Sequence, residues 1–219
     1  VDSYYQLDKA TVSCASLQIE KGSCLDVQNN PGSNFGMVLN HPSGNGNFRL
    51  TTRPLTQATF DNPSTFVVPG GDFTDFNVNR GTTEFYGINP QIGTIYILPS
   101  NANSYGTVII SPLDESNIVL PNLPAITIYG DLISRGTNWE SWLAMTWNTG
   151  YGVIVPKTVT VRGDLLIQGG SFVYMSNGNT QQTISIDGDV VVDPGAGIDI
   201  WGSSIASLMK IGGSLINNS

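Results

Sequence analysis

The sequence predicts an all-β chain, most simply a right-handed parallel β-helix built from imperfect coils of about 25 residues. Three observations carry that prediction. Charged residues are only 12% of the 219, while 25 Gly and 12 Pro punctuate the chain, a balance that disfavours helices. The C-terminal half repeats one pattern four times. Within each period, three short apolar segments are separated by turn residues, one segment for each wall of a coil.

In the first half, residues 16–19, 24–27, 48–51, 65–68, 73–78, 83–86, 94–98, 107–110 and 117–120 are short apolar or alternating segments bounded by Gly, Pro, Asn and Asp. They read as strands, and none reads as a helix. Residues 1–80 form an irregular β region that either coils like the rest or caps it as a separate β-sandwich, and 81–219 form solenoid coils.

The repeat begins with Ile126-Thr127-Ile128-Tyr129-Gly130-Asp131-Leu132. It returns as Val159-Thr160-Val161-Arg162-Gly163-Asp164-Leu165, as Ile184-Ser185-Ile186-Asp187-Gly188-Asp189-Val190 and as Met209-Lys210-Ile211-Gly212-Gly213-Ser214-Leu215. Gly130, Gly163, Gly188 and Gly213 are 33, 25 and 25 residues apart, the first interval being one period plus an eight-residue insertion. After each glycine comes a second strand, such as Leu165-Leu166-Ile167, then a turn such as Gly169-Gly170, then a third strand, such as 171–175. A single coil cannot bury its inward residues. Stacking coils about 4.8 Å apart pairs each strand with its equivalents above and below.

Nine Lys and Arg against seventeen Asp and Glu give a net charge of −8. No basic run neutralises successive phosphates, which argues against a nucleic-acid partner. No apolar run approaches the ~18 residues of a membrane-spanning helix. The chain begins at Val1 and stops at Ser219, just after the first strand of a new repeat, and so reads as a piece of something longer. Cys14 and Cys24 are the only cysteines. A disulfide between them is geometrically possible if Gly22 turns the chain back, and an oxidising compartment permits it; the alternative is two small residues on neighbouring strands.

The order of Gly81-Thr82-Thr83-Glu84-Phe85-Tyr86-Gly87, Tyr105-Gly106-Thr107-Val108-Ile109-Ile110, Leu120-Pro121-Asn122-Leu123 and Ile126-Thr127-Ile128-Tyr129-Gly130-Asp131-Leu132 resembles the repetitive regions of very large exported surface proteins of Bacteroidota. These are of the gliding-motility and adhesin type and leave through the type IX secretion system. The resemblance covers about residues 80–216. It implies an extracellular, non-catalytic structural or adhesive module on the cell surface. Its partners would be the rest of a larger parent polypeptide, the secretion or surface machinery and surface glycans. Residues 1–80 do not show the pattern clearly.

Polysaccharide lyases and hydrolases use the same scaffold, so a carbohydrate-active enzyme is the alternative. Asp131, Asp164 and Asp189 occupy equivalent places, and with coils in register Asp164 and Asp189 would sit roughly 5 Å apart, near the carboxyl spacing of a retaining glycosidase. A Gly-Asp corner has a simpler use: Gly takes the backbone angle and Asp accepts nearby amide hydrogens. Ser214 in the fourth copy fits that use. His41, the one histidine, falls in a loop and leaves no two-histidine metal site. Lys157 and Arg162 are candidate lyase bases, or ordinary cations on solvent-facing strand positions. No cofactor is expected, although Asp187, Asp189, Asp193 and Asp199 offer oxygen ligands for calcium. Trp139, Trp142 and Trp147 crowd the insertion, either filling a widened coil or forming a glycan or protein contact patch.

Overall fold

The computed structural model describes residues 12–14, 16–29, 37–39, 42–52, 63–66, 68–87, 95–112, 116–146, 155–175, 180–200 and 207–218. It is a β-solenoid, 53% strand and 3% helix, with stacked coils of about 25 residues. Three parallel sheets form its walls. In chain order, the first wall holds Ser104–Tyr105, Ala125–Ile128, Lys157–Val161, Gln182–Ile186 and Leu208–Ile211. The second wall is the longest, eight strands running Cys24–Asn29, Asn47–Thr52, Thr82–Gly87, Thr107–Pro112, Leu132–Arg135, Leu165–Gln168, Val190–Val192 and Leu215–Asn217. The third holds Ser64–Thr65, Ile95–Ile97, Asn117–Val119, Trp142–Ala144, Phe172–Tyr174 and Gly197–Asp199.

Because the side-chain period of a strand is two, the parallel register builds rows of equivalent residues along the stack. One inward row of the second wall reads Leu25, Phe48, Thr83, Val108, Leu132, Leu165, Val190 and Leu215. The third wall contributes Tyr96, Ile118, Leu143, Val173 and Ile198. From the first come Ile126, Val159, Ile184 and Met209. These rows meet in one continuous apolar core. Each such side chain, fully buried, contributes roughly 1.5–3 kcal/mol. In the early coils the filling is aromatic: Phe66 stands 5.3 Å from Phe85 and 5.2 Å from Tyr96, and Phe85 is 5.7 Å from Tyr105.

The eight-stranded wall passes through residue 80 without a break, since Asn47–Thr52 pairs directly with Thr82–Gly87. The strands Cys24–Asn29 and Asn47–Thr52 therefore belong to the same sheet as the later coils, while Val12–Cys14 with Met37–Leu39, and Leu17–Ile19 with Pro42–Gly44, form two-stranded parallel sheets. Pro42–Gly44, beside the expected loop, pairs as a strand with Leu17–Ile19. His41 itself lies outside the described residues.

One coil departs from the pattern. Between the strands Ser64–Thr65 and Thr82–Gly87, where later coils carry a first-wall strand, the chain forms a five-residue helix, α1 (Thr74–Val78). It packs between Pro42–Gly44 and Ser104–Tyr105. The expectation of a strand over 73–78 is corrected here. Asp72 Oδ1 accepts the Thr74 amide at 3.0 Å and opens a turn, and Phe73 and Phe76, three apart, meet edge to face at 6.5 Å. Spacing of three suits a helical face, not a strand.

Candidate functional site

The Gly-Asp corners join the first wall to the second. Each aspartate accepts the amide of its counterpart one coil later: Asp164 N donates to Asp131 Oδ1 at 2.9 Å, Asp189 N to Asp164 Oδ1 at 2.8 Å and Ser214 N to Asp189 Oδ1 at 2.7 Å. The glycines add a parallel backbone ladder, Gly163 N to Gly130 O, Gly188 N to Gly163 O and Gly213 N to Gly188 O, at 2.9–3.0 Å. The amide acceptors expected of a corner are thus in place, but the role of the glycine is different from the expected one. None of the four corner glycines lies at positive φ. A Cβ on Gly163, Gly188 or Gly213 would instead collide with the carboxylate oxygen and glycine carbonyl of the preceding coil. The requirement is close approach, not an unusual backbone angle. One oxygen of each carboxylate is thus tied to an amide of the next coil.

A second polar construction spans four coils on the outer face of the second wall. Asp26, Arg49 and Glu84 occupy successive places in one row. Arg49 Nε donates to Glu84 Oε2 at 2.7 Å and its Nη1 is 3.6 Å from Asp26 Oδ2. Tyr86 donates to Asp26 Oδ1 at 2.6 Å, Ser111 donates to Glu84 Oε1 at 3.0 Å, and the guanidinium lies 4.2 Å over the Tyr86 ring. Burial opposes the Arg49 charge, but the hydrogen bond and charge of Glu84, with help from Asp26, outweigh it and raise the pKa. Arg49→Leu is expected to cost about 2 kcal/mol in urea melts, because two half-buried carboxylates lose their shared partner; Glu84→Gln in that background should recover part of the loss.

Lys157 corrects the expectation of a solvent-facing cation. It is 2% exposed and points inward with Val159 and Val161. Its Nζ donates to the carbonyls of Met145, at 2.5 Å, and Leu120, at 3.4 Å, and desolvation lowers its pKa to about 7. The alternation Lys157-Thr158-Val159-Thr160-Val161 already placed it in phase with the core. Arg162 is exposed and stands 5.0 Å over the Tyr129 ring.

The tryptophans separate. Trp139 is 63% exposed on a turn, whereas Trp142 is 8% exposed. Trp142 does not fill the coil interior, which its neighbour Leu143 does; it packs with Ile95, Val119 and Ala144 in a second apolar cluster. Its ring is 5.2 Å from that of Tyr174. Burial, with the nearby charge of Asp199, pushes the Tyr174 hydroxyl's pKa up. Trp147 lies outside the described residues, as does the side chain of Cys14, so the proposed disulfide to the exposed Cys24 also falls outside them. Among the described residues, no three His, Cys, Asp or Glu side chains converge as metal ligands. Asp187 is exposed at its turn, Asp193 and Asp199 are half-buried, and Asp189 belongs to the corner ladder.

The last coil presents an uncovered surface. Leu215 is 62% exposed, although Leu132, Leu165 and Val190 in the same inward row are 0% exposed. Leu208 and Ile216, 40% and 39% exposed, lie in the outward rows of the first and second walls. The corner ladder reaches this coil at Ser214. At the other end of the ladder Thr107 Oγ1 accepts the Asp131 amide at 3.4 Å, which shows that a hydroxyl can occupy this place.

The stacked parallel walls and their side-chain ladder define the chain as a β-solenoid protein. No family model, curated protein or solved structure matches it. No helix among the described residues is long and apolar enough to cross a membrane.

Proposed function

We propose that this chain is a non-catalytic structural or adhesive module of a large exported bacterial surface protein. The observation that carries this reading is the corner ladder, in which Asp131, Asp164 and Asp189 each accept the amide of the next coil. The carboxylates of the ladder are engaged in holding coils together, which favours a rod over a catalyst. The sequence resemblance over residues 80–216 supplies the setting: an extracellular position, with parent polypeptide, export machinery and surface glycans as partners.

The test is the size of the native polypeptide that carries these peptides, read by gel and peptide mapping. A species far larger than 23.4 kDa is expected; a native species of that mass overturns the reading.

A further inference from the structure

Where α1 replaces a first-wall strand, the wall opens and a cavity of about 290 Å³ reaches toward the core. Phe48, Phe73, Asn77, Thr83 and Tyr105 line it, together with the turn at Gly70 and Gly71 and the segment 101–104. Three features of the lining bear on what it holds. Not one of its residues is charged, in a chain with a net charge of −8. The rings of Phe48 and Phe73, 5.8 Å apart and tilted by 35°, form an apolar wall. Opposite chemistry comes from the carboxamides of Asn77, Asn101 and Asn103 and from the Thr83 hydroxyl.

Thr83 is the telling residue. It is the one polar member of its inward row, between Phe48 and Val108, and is 4% exposed. An inward hydroxyl in an apolar row costs stability unless something bonds to it. Thr83 lines the cavity, so a bound molecule can supply that bond. Asn77, also buried, donates its Nδ2 to Ser104 O at 2.9 Å, which fixes the carboxamide in place at the rim.

We propose that this cavity binds a single neutral sugar unit. A phosphate, carboxylate or ammonium ligand would need an opposite charge that the lining does not offer. A pyranose ring combines an apolar C–H face, suited to the phenylalanine wall, with hydroxyls that both donate and accept, as carboxamides and threonine do. The cavity lies at the lower end of the ~300–1,000 Å³ of small-molecule pockets, which suits one ring and not a chain. The site is independent of the stacking role, so either proposal can fail alone.

The experiment titrates the isotope-labelled 219-residue chain with D-glucose, D-galactose, D-mannose and N-acetyl-D-glucosamine and follows backbone amide shifts by NMR. At least one sugar should give saturable shifts at Asn77, Thr83 and residues 101–105, with a Kd on the order of 1 mM. Thr83→Val should weaken that binding roughly tenfold while leaving the Tm equal or higher, because valine matches the rest of its row. Four outcomes would overturn the proposal. They are no saturable shift with any of the sugars at about 50 mM, shifts centred on Trp139 or Tyr174, unchanged binding in Thr83→Val, and tighter binding of glucuronate or inorganic phosphate than of any neutral sugar.

Discussion

Gly188→Val should lower the stability of the chain by about 3–5 kcal/mol, or prevent folding altogether. The new Cβ would meet Asp164 Oδ1, which is held in place by the Asp189 amide, and the Gly163 carbonyl, which accepts the Gly188 amide. The carboxylate cannot turn away without releasing the half-buried Asp189 amide, and the carbonyl cannot move without opening the ladder. For a chain of this size the loss corresponds to roughly 10 °C in Tm. Gly188→Ala should be nearly as harmful, since the collision is with the first side-chain atom. Asp164→Asn, which keeps an acceptor oxygen, should stay within about 1 kcal/mol of the parent. Asp164→Ala combined with Gly188→Ala should cost less than the sum of the two, because one removes the group that the other strikes. A Gly188→Ala chain that melts like the parent in circular dichroism would remove the basis for a crowded corner.

Raising the pH from 7 to about 9.5 is expected to stabilise the fold through Lys157 by about 3 kcal/mol. Burial lowers its pKa from 10.5 to about 7 in the folded chain. Between those values the unfolded chain holds a proton that the folded chain has released, so stability rises with pH. Below pH 7 both states are protonated, and the burial of the charge counts in full against folding. Buried Tyr105, whose pKa burial raises, works in the opposite sense above about pH 10, so the window must close below that. Lys157→Met should be more stable than the parent at pH 7 and should lose this part of the slope. Urea melts across the window decide the matter: parallel pH dependences for the two chains would mean that Lys157 keeps an ordinary pKa.

The two expectations differ in how visible their cause is in the sequence. The corner glycines recur at a fixed spacing and announce a shared constraint, but the constraint itself is the neighbouring coil's carboxylate, 25 residues away in the chain. Lys157 carries its signal locally, in phase with Val159 and Val161. Yet its strand leaves the charge nowhere to go except toward the Met145 and Leu120 carbonyls, which only stacking brings to it. The Trp142 position is harder still. Both faces of the third wall are apolar at that coil, with Leu143 in the core and Trp142 outside it, so alternation gives no polar side by which to orient the strand.

What the sequence determined by itself is the late coils: strand lengths, the 25-residue period, the three walls and the corner residues. Their inward positions are Val, Ile and Leu of similar size, so equivalent places look alike. The early coils hide the same architecture, because Phe48, Phe66, Phe85, Tyr96 and Tyr105 fill the interior with interlocking rings whose sizes complement one another across coils. Complementary filling fixes a sum of volumes and leaves each position free to vary, so no repeat survives in the letters. Only the tertiary structure decided that Cys24–Asn29 and Asn47–Thr52 join the long wall, that α1 takes the place of a strand, and that a neutral cavity opens beside Thr83. A wall can lose one strand when its neighbours on both sides still hold the coil, and that support comes from contacts across coils, which no single segment of sequence contains.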